Sequence, residues 1–144
     1  MRFMIIVKAT QDSETGAMPD ESLVADMANY HEELHKAGML IDGSGLQPSS
    51  KGWRIKYSGG KRTVIDGPFT ETKELVAGYT LIETNSREEA LEWTKRFPNP
   101  AIGGKDGEIE VRQLFELEDF ETSLGMKAET IERFREIGIG GTKK

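Results

Sequence analysis

A chain of 144 residues fits one domain, and a domain of that size buries roughly two-thirds of its unfolded surface, enough for a core without staples. It contains no cysteine, which excludes disulfides, thiol catalysis and thiolate metal sites. The formal charge of −6, from 19 basic and 25 acidic residues, argues against nucleic acid as a partner, because that binding needs concentrated positive charge.

Met1 to Thr10 holds only a short apolar run and no cleavage-site pattern, so it does not read as a signal peptide. No apolar run approaches the roughly 20 residues of a membrane span. The expectation is a soluble cytoplasmic protein with no membrane partner.

Arg2 to Thr10 opens with Phe3, Met4, Ile5, Ile6 and Val7 in succession and ends near Lys8. A continuous apolar run without helical spacing predicts a strand, central in its sheet and covered on both faces. Gln11 to Pro19 reads as a polar loop, with Pro19 opening a helix. From Asp20 to Ala37 the apolar residues Leu23, Val24, Met27, Tyr30 and Leu34 fall at helical spacing, and Gly38 supplies a left-handed C-cap. Met39-Leu40-Ile41 begins a second strand. The following Gly43-Ser44-Gly45 lacks the G-x-G-x-x-G pattern and a following helix, so it reads as a strand bend or bulge rather than a phosphate loop.

Trp53–Tyr57 and Arg62–Ile65 flank Ser58-Gly59-Gly60-Lys61, a hairpin signal. The loose cluster Lys51, Arg54, Lys56, Lys61 and Arg62 reads as its solvated face. Val64-Ile65 then runs into Asp66-Gly67-Pro68-Phe69, a turn of residues that relax or restrict the backbone. Thr70 to Glu74 is polar, and a strand resumes over Val76 to Thr84. The loop between is longer than a hairpin needs, which marks it as a candidate functional loop.

Ser86 with Glu89 three residues on forms a capping-box pattern, starting a helix with Leu91, Trp93 and Phe97 that Pro98 and Pro100 stop. Ile109 to Leu117 alternates as a last strand. Beyond a domain of residues 1–120, residues 121–144 read as an extension: an irregular or briefly helical piece, a short helix over Ala128–Ile137, and a flexible tail from Gly138 to Lys144. With the hairpin set aside the order is β-α-β-β-α-β, the ferredoxin-like α+β arrangement. Its second sheet face stays apolar, and a second copy of the chain is the usual cover.

Asp66-Gly67-Pro68-Phe69-Thr70-Glu71, with Lys73-Glu74 and Ala77-Gly78-Tyr79, resembles the motif that names the DGPF group of YCII-related proteins. Ala37–Leu40, Gly43–Ser49, Glu88–Ala90 and Gly107–Arg112 extend the resemblance over residues 1 to about 120. It implies a dimeric α+β barrel of ferredoxin-like protomers. Relatives include proteins associated with extracytoplasmic-function sigma factors and small-molecule enzymes with a His–Asp pair. Met27 stands where the helix histidine of those enzymes would fall.

Asp66 and Glu71, set across the Gly-Pro turn, are the candidate catalytic pair, since two carboxylates facing one pocket would raise a carboxylate pKa. Each has a plain structural reading: a turn cap for Asp66, an ion pair for Glu71. Lys8, His31, Tyr79 and Arg112 are candidate pocket or binding residues. His31-Glu32-Glu33-Leu34-His35 matches H-E-x-x-H on a helix. However, the helix ends at Gly38 and no third histidine exists, so no metal site is expected. Two function classes stay open. One is a small-molecule-binding homodimer, in one form an enzyme, with its pocket beneath residues 66–74. The other is a non-catalytic accessory protein that binds a regulatory partner such as a sigma factor. Neither implies a cofactor.

Overall fold

The computed structural model describes residues 1–123 and 125–141. Strands β1 (Arg2–Lys8), β2 (Leu40–Gly45), β5 (Val76–Glu83) and β6 (Ile109–Gln113) form one sheet in the order β2-β5-β1-β6, with every neighbouring pair antiparallel. Strands β3 (Trp53–Ser58) and β4 (Lys61–Asp66) form a separate hairpin. Helices α2 (Glu21–Lys36) and α3 (Arg87–Lys95) complete the ferredoxin-like β-α-β-β-α-β order, with the hairpin inserted before β5.

Alternation decides what the sheet buries. Phe3 and Ile5 of β1 and Ile82 of β5 enter the core with Tyr30, Leu34, Met39 and Ala90, while Met4, Ile6 and Leu81 on the opposite face are half-buried. Asp20 caps α2 by accepting from the Leu23 amide at 2.9 Å, so the helix starts at Glu21, two residues later than a Pro19 opening. Gly38 closes it with φ +74°, as its left-handed cap requires. Ser86 caps α3 through the Glu89 amide, and the Glu89 carboxylate accepts from Asn85.

Three stretches differ from the sequence expectation. The supposed loop after β1 contains a four-residue helix, α1 (Gln11–Glu14), because Thr10 and Ser13 cap each other's backbone. Strand β6 stops at Gln113 although the alternation continues, because Asp119 accepts from the Glu116 amide at 2.8 Å and starts α4 (Leu117–Ser123). Residues 128–140 pack on the domain: α5 (Ala128–Glu136) buries Ile131, and a β-carbon at Gly140 would meet Leu117 at 2.5 Å. Of the expected flexible tail, residues 142–144 lie outside the described residues.

An aromatic cluster joins the two main helices. Tyr30 meets Phe97 edge-on at 5.1 Å, and its hydroxyl donates to the Trp93 carbonyl at 2.8 Å. Burial pushes the Tyr30 pKa up to about 12, with Glu33 adding to the rise and Arg96 opposing it. The buried phenol favours its neutral form, so its contribution is complete below the unfolded value near 10 and is lost as pH climbs from 10 to 12. Urea unfolding of the wild type is therefore expected to weaken more steeply over that window than that of Tyr30→Phe. Parallel slopes would contradict it.

Candidate functional site

The site begins with missing side chains. Register pairs Gly43 of β2 with Thr80 of β5, and Gly45 with Gly78. Thr80 faces α2, because its hydroxyl is bonded to His31 there, so Gly43, Gly45 and Gly78 face α2 as well. Where other strands send side chains up, these three leave bare backbone. A β-carbon at Gly45 would meet nothing within 4 Å. Above this floor lies a cavity of about 760 Å³, walled by Leu23, Val24 and Met27 of α2, the segment 16–19, Leu46–Pro48, Phe97 and Ile102. Its size and apolar walls match those of small-molecule sites.

His31 stands on the cavity wall. Its Nδ1 lies 2.7 Å from the Met27 carbonyl, which only accepts, so Nδ1 carries a proton. In the neutral imidazole Nε2 then accepts from the Thr80 hydroxyl at 2.8 Å. Thr80 is 2% exposed, so the pair is fixed at the floor's edge rather than free in the opening. Phe97 packs on the His31 ring at 6.1 Å.

The cavity's outer wall is fastened to the loop after β4. The Glu14 carboxylate accepts from the Ser49 amide at 3.0 Å and from the Ser49 hydroxyl, and that hydroxyl accepts from the Phe69 amide at 3.0 Å. Gly67 donates to the Gly52 carbonyl at 3.0 Å. A β-carbon there would lie 1.8 Å from the Ser49 carbonyl oxygen. Arg54 covers the Phe69 ring at 3.8 Å. The Asp-Gly-Pro-Phe turn is thus clamped against Ser49, and Ser49 against α1.

The model of the YCII-related domain matches residues 1–118. This chain belongs to the YCII-related family. It is 34% identical over 95 residues to an uncharacterised protein of Rhizobium meliloti (strain 1021), covering 66% of this chain and 75% of that protein. Among solved structures it resembles 5-chloro-2-hydroxyhydroquinone dehydrochlorinase from Burkholderia phenoliruptrix AC1100, in complex with 2,5-dihydroxybenzoquinone. That match has a TM-score of 0.41 and 16% identity, and covers 81% of this chain and 95% of the other.

In this YCII-related chain the residues marked from sequence divide into two groups. Lys8, His31 and Tyr79 border the cavity; Asp66, Glu71 and Arg112 do not. Asp66 and Glu71 are exposed, and no residue of 66–74 lines this cavity, which lies on the α2 side of the sheet. At that loop the turn packs the Gly67 backbone directly on Ser49. Tyr79 follows the strand alternation to the far face, where its hydroxyl donates to Asp42 at 3.0 Å. Among the described residues, Arg112 pairs with Glu110 alone, at 3.2 Å. His35 is exposed, one helical turn beyond His31, and among the described residues no cluster of three or more His, Cys, Asp or Glu could hold a metal ion. Sequence reasoning missed the floor, the Thr80 hydroxyl and the Glu14–Ser49 contact. The glycines were its only signal, and their partners could not be read without the register.

Proposed function

We propose that this YCII-related protein binds a small molecule in the cavity over Gly43, Gly45 and Gly78. The observation that carries this reading is the floor itself: three side-chain-free positions face the same helix across two paired strands, under apolar walls. In an enzymatic form of the reading, the available chemistry is proton transfer at His31 Nε2, with the Thr80 hydroxyl holding that nitrogen until a ligand group competes for it.

Amide-resolved NMR during a screen of small organic fragments tests the reading. Hits are expected to shift the amides of Gly43, Gly45, Gly78 and Thr80. Shifts confined to residues 66–74 or to the β3–β4 hairpin would contradict it.

The working unit in this proposal is a homodimer. Met4, Ile6 and Leu81 are half-buried on the sheet face away from the helices, and the hairpin leaves Trp53 and Tyr57 exposed. A second copy would cover such surfaces. Light scattering should give twice the 16.1 kDa of one chain, and a monomer at micromolar concentration would contradict the pairing.

A second reading, a non-catalytic accessory protein for a regulatory partner such as a sigma factor, draws on Phe115, Ile137 and Ile139, all exposed near the C-terminal helices. It predicts no fragment in the cavity and a retained partner whose binding is lost when these residues become polar.

A further inference from the structure

The polar groups around the cavity say what kind of molecule it takes. Of the 25 acidic residues in the chain, none borders it. The polar side chains that do are spoken for or turned away. Thr10 and Ser13 close on each other at the start of α1, where the Thr10 amide donates to Ser13 Oγ at 2.8 Å and Ser13 Oγ donates to the Thr10 carbonyl at 3.0 Å. His31 has both ring nitrogens engaged, one by Met27 and one by Thr80, and Thr80 is buried beneath that contact. Tyr79 is committed to Asp42 on the far face. Ser44 pairs with Tyr79 in the register and shares its side of the sheet.

Lys8 decides the charge of the ligand. It borders the cavity, and its ammonium has no partner among the described residues. The pairing with β5 shifts between Val7 and Lys8, where Ala77 is the extra residue. The β1 backbone itself stays regular, with the Lys8 amide donating to Glu108 on one side and the Ala9 amide to Leu75 on the other, so Lys8 keeps to the face of Met4 and Ile6 while Val7 shares the cavity side with Gly78. The one polar side chain left over is Gln47, exposed at the mouth. A charged ligand group inside would lose water and find neither an opposite charge nor a free donor set, which penalises it strongly. A neutral apolar skeleton loses nothing of the kind.

We infer that the cavity selects uncharged, mainly apolar molecules, with at most one neutral hydroxyl or carbonyl, placed at the Gln47 mouth or in competition with Thr80 for His31 Nε2. This rests on the small-molecule reading above, and the test separates the two. Affinities for 1-decanol, decanoate and decylammonium are measured by calorimetry on the full chain, with 2-naphthol and 2-naphthoate as an aromatic pair. The neutral member of each set is expected to bind at least tenfold more tightly than its charged counterparts. Lys8→Gln is expected to leave every affinity within twofold. If decanoate or naphthoate binds as well as the alcohol, or if Lys8→Gln weakens the acids selectively, the inference fails while the cavity remains a binding site. If neither set binds at all, the small-molecule reading falls with it.

Discussion

Gly67→Ala is expected to cost on the order of 3 kcal/mol of folding stability, far more than a surface substitution normally does. Its φ does not require glycine; what requires glycine is closeness. The added β-carbon would lie 1.8 Å from the Ser49 carbonyl oxygen and 2.6 Å from its carbon, and both are backbone atoms that cannot swing aside. Either the Gly67–Gly52 hydrogen bond breaks or the segment around Ser49 moves, taking with it the contacts to Glu14 and Phe69. Asp66→Asn, one residue earlier and exposed, is expected to change stability by no more than about 0.5 kcal/mol. Urea midpoints of the two variants make the comparison. Similar midpoints would mean that the turn is not clamped as described.

That contrast locates what the sequence could and could not convey. The Asp-Gly-Pro-Phe stretch stood out because its residues restrict the backbone, and it is indeed a specified turn. Its carboxylates Asp66 and Glu71 draw the eye as chemistry, whereas the residue of the turn under the tightest steric constraint is Gly67, facing the Ser49 carbonyl. Burial is a property of the assembled chain, and nothing local told that both carboxylates end exposed. The element order follows from signals local to each segment: the continuous apolar run of β1, the helical spacing of α2, Ser86 at a helix start and Gly38 at a helix end. Helix α1 is not legible in the sequence because four residues carry no periodicity. The apolar alternation runs on through Phe115 and Leu117, past the end of β6 at Gln113, because the turn that the Asp119 carboxylate makes with the Glu116 amide leaves no mark in it. The site was illegible for a different reason. Gly43, Gly45 and Gly78 become one floor only through the β2–β5 register, which shifts at Leu40/Asp42 and cannot be counted along the chain.

The same floor offers the most direct test of small-molecule binding. Gly45→Ile should fold at least as well as the wild type, because position 45 is not in the left-handed region and lies on a sheet-edge strand that favours a β-branched residue. Its β-carbon would meet no atom within 4 Å, so the new side chain enters empty space. Stiff at χ1, an isoleucine cannot turn freely out of the cavity. The decisive measurement is the ligand-induced change in melting temperature for Gly45→Ile beside the wild type, using the best fragment from the NMR screen. The expected result is an unchanged or higher melting temperature without ligand and a ligand shift reduced to nearly nothing. A variant that folds normally and keeps the full wild-type shift would contradict the placement of the site.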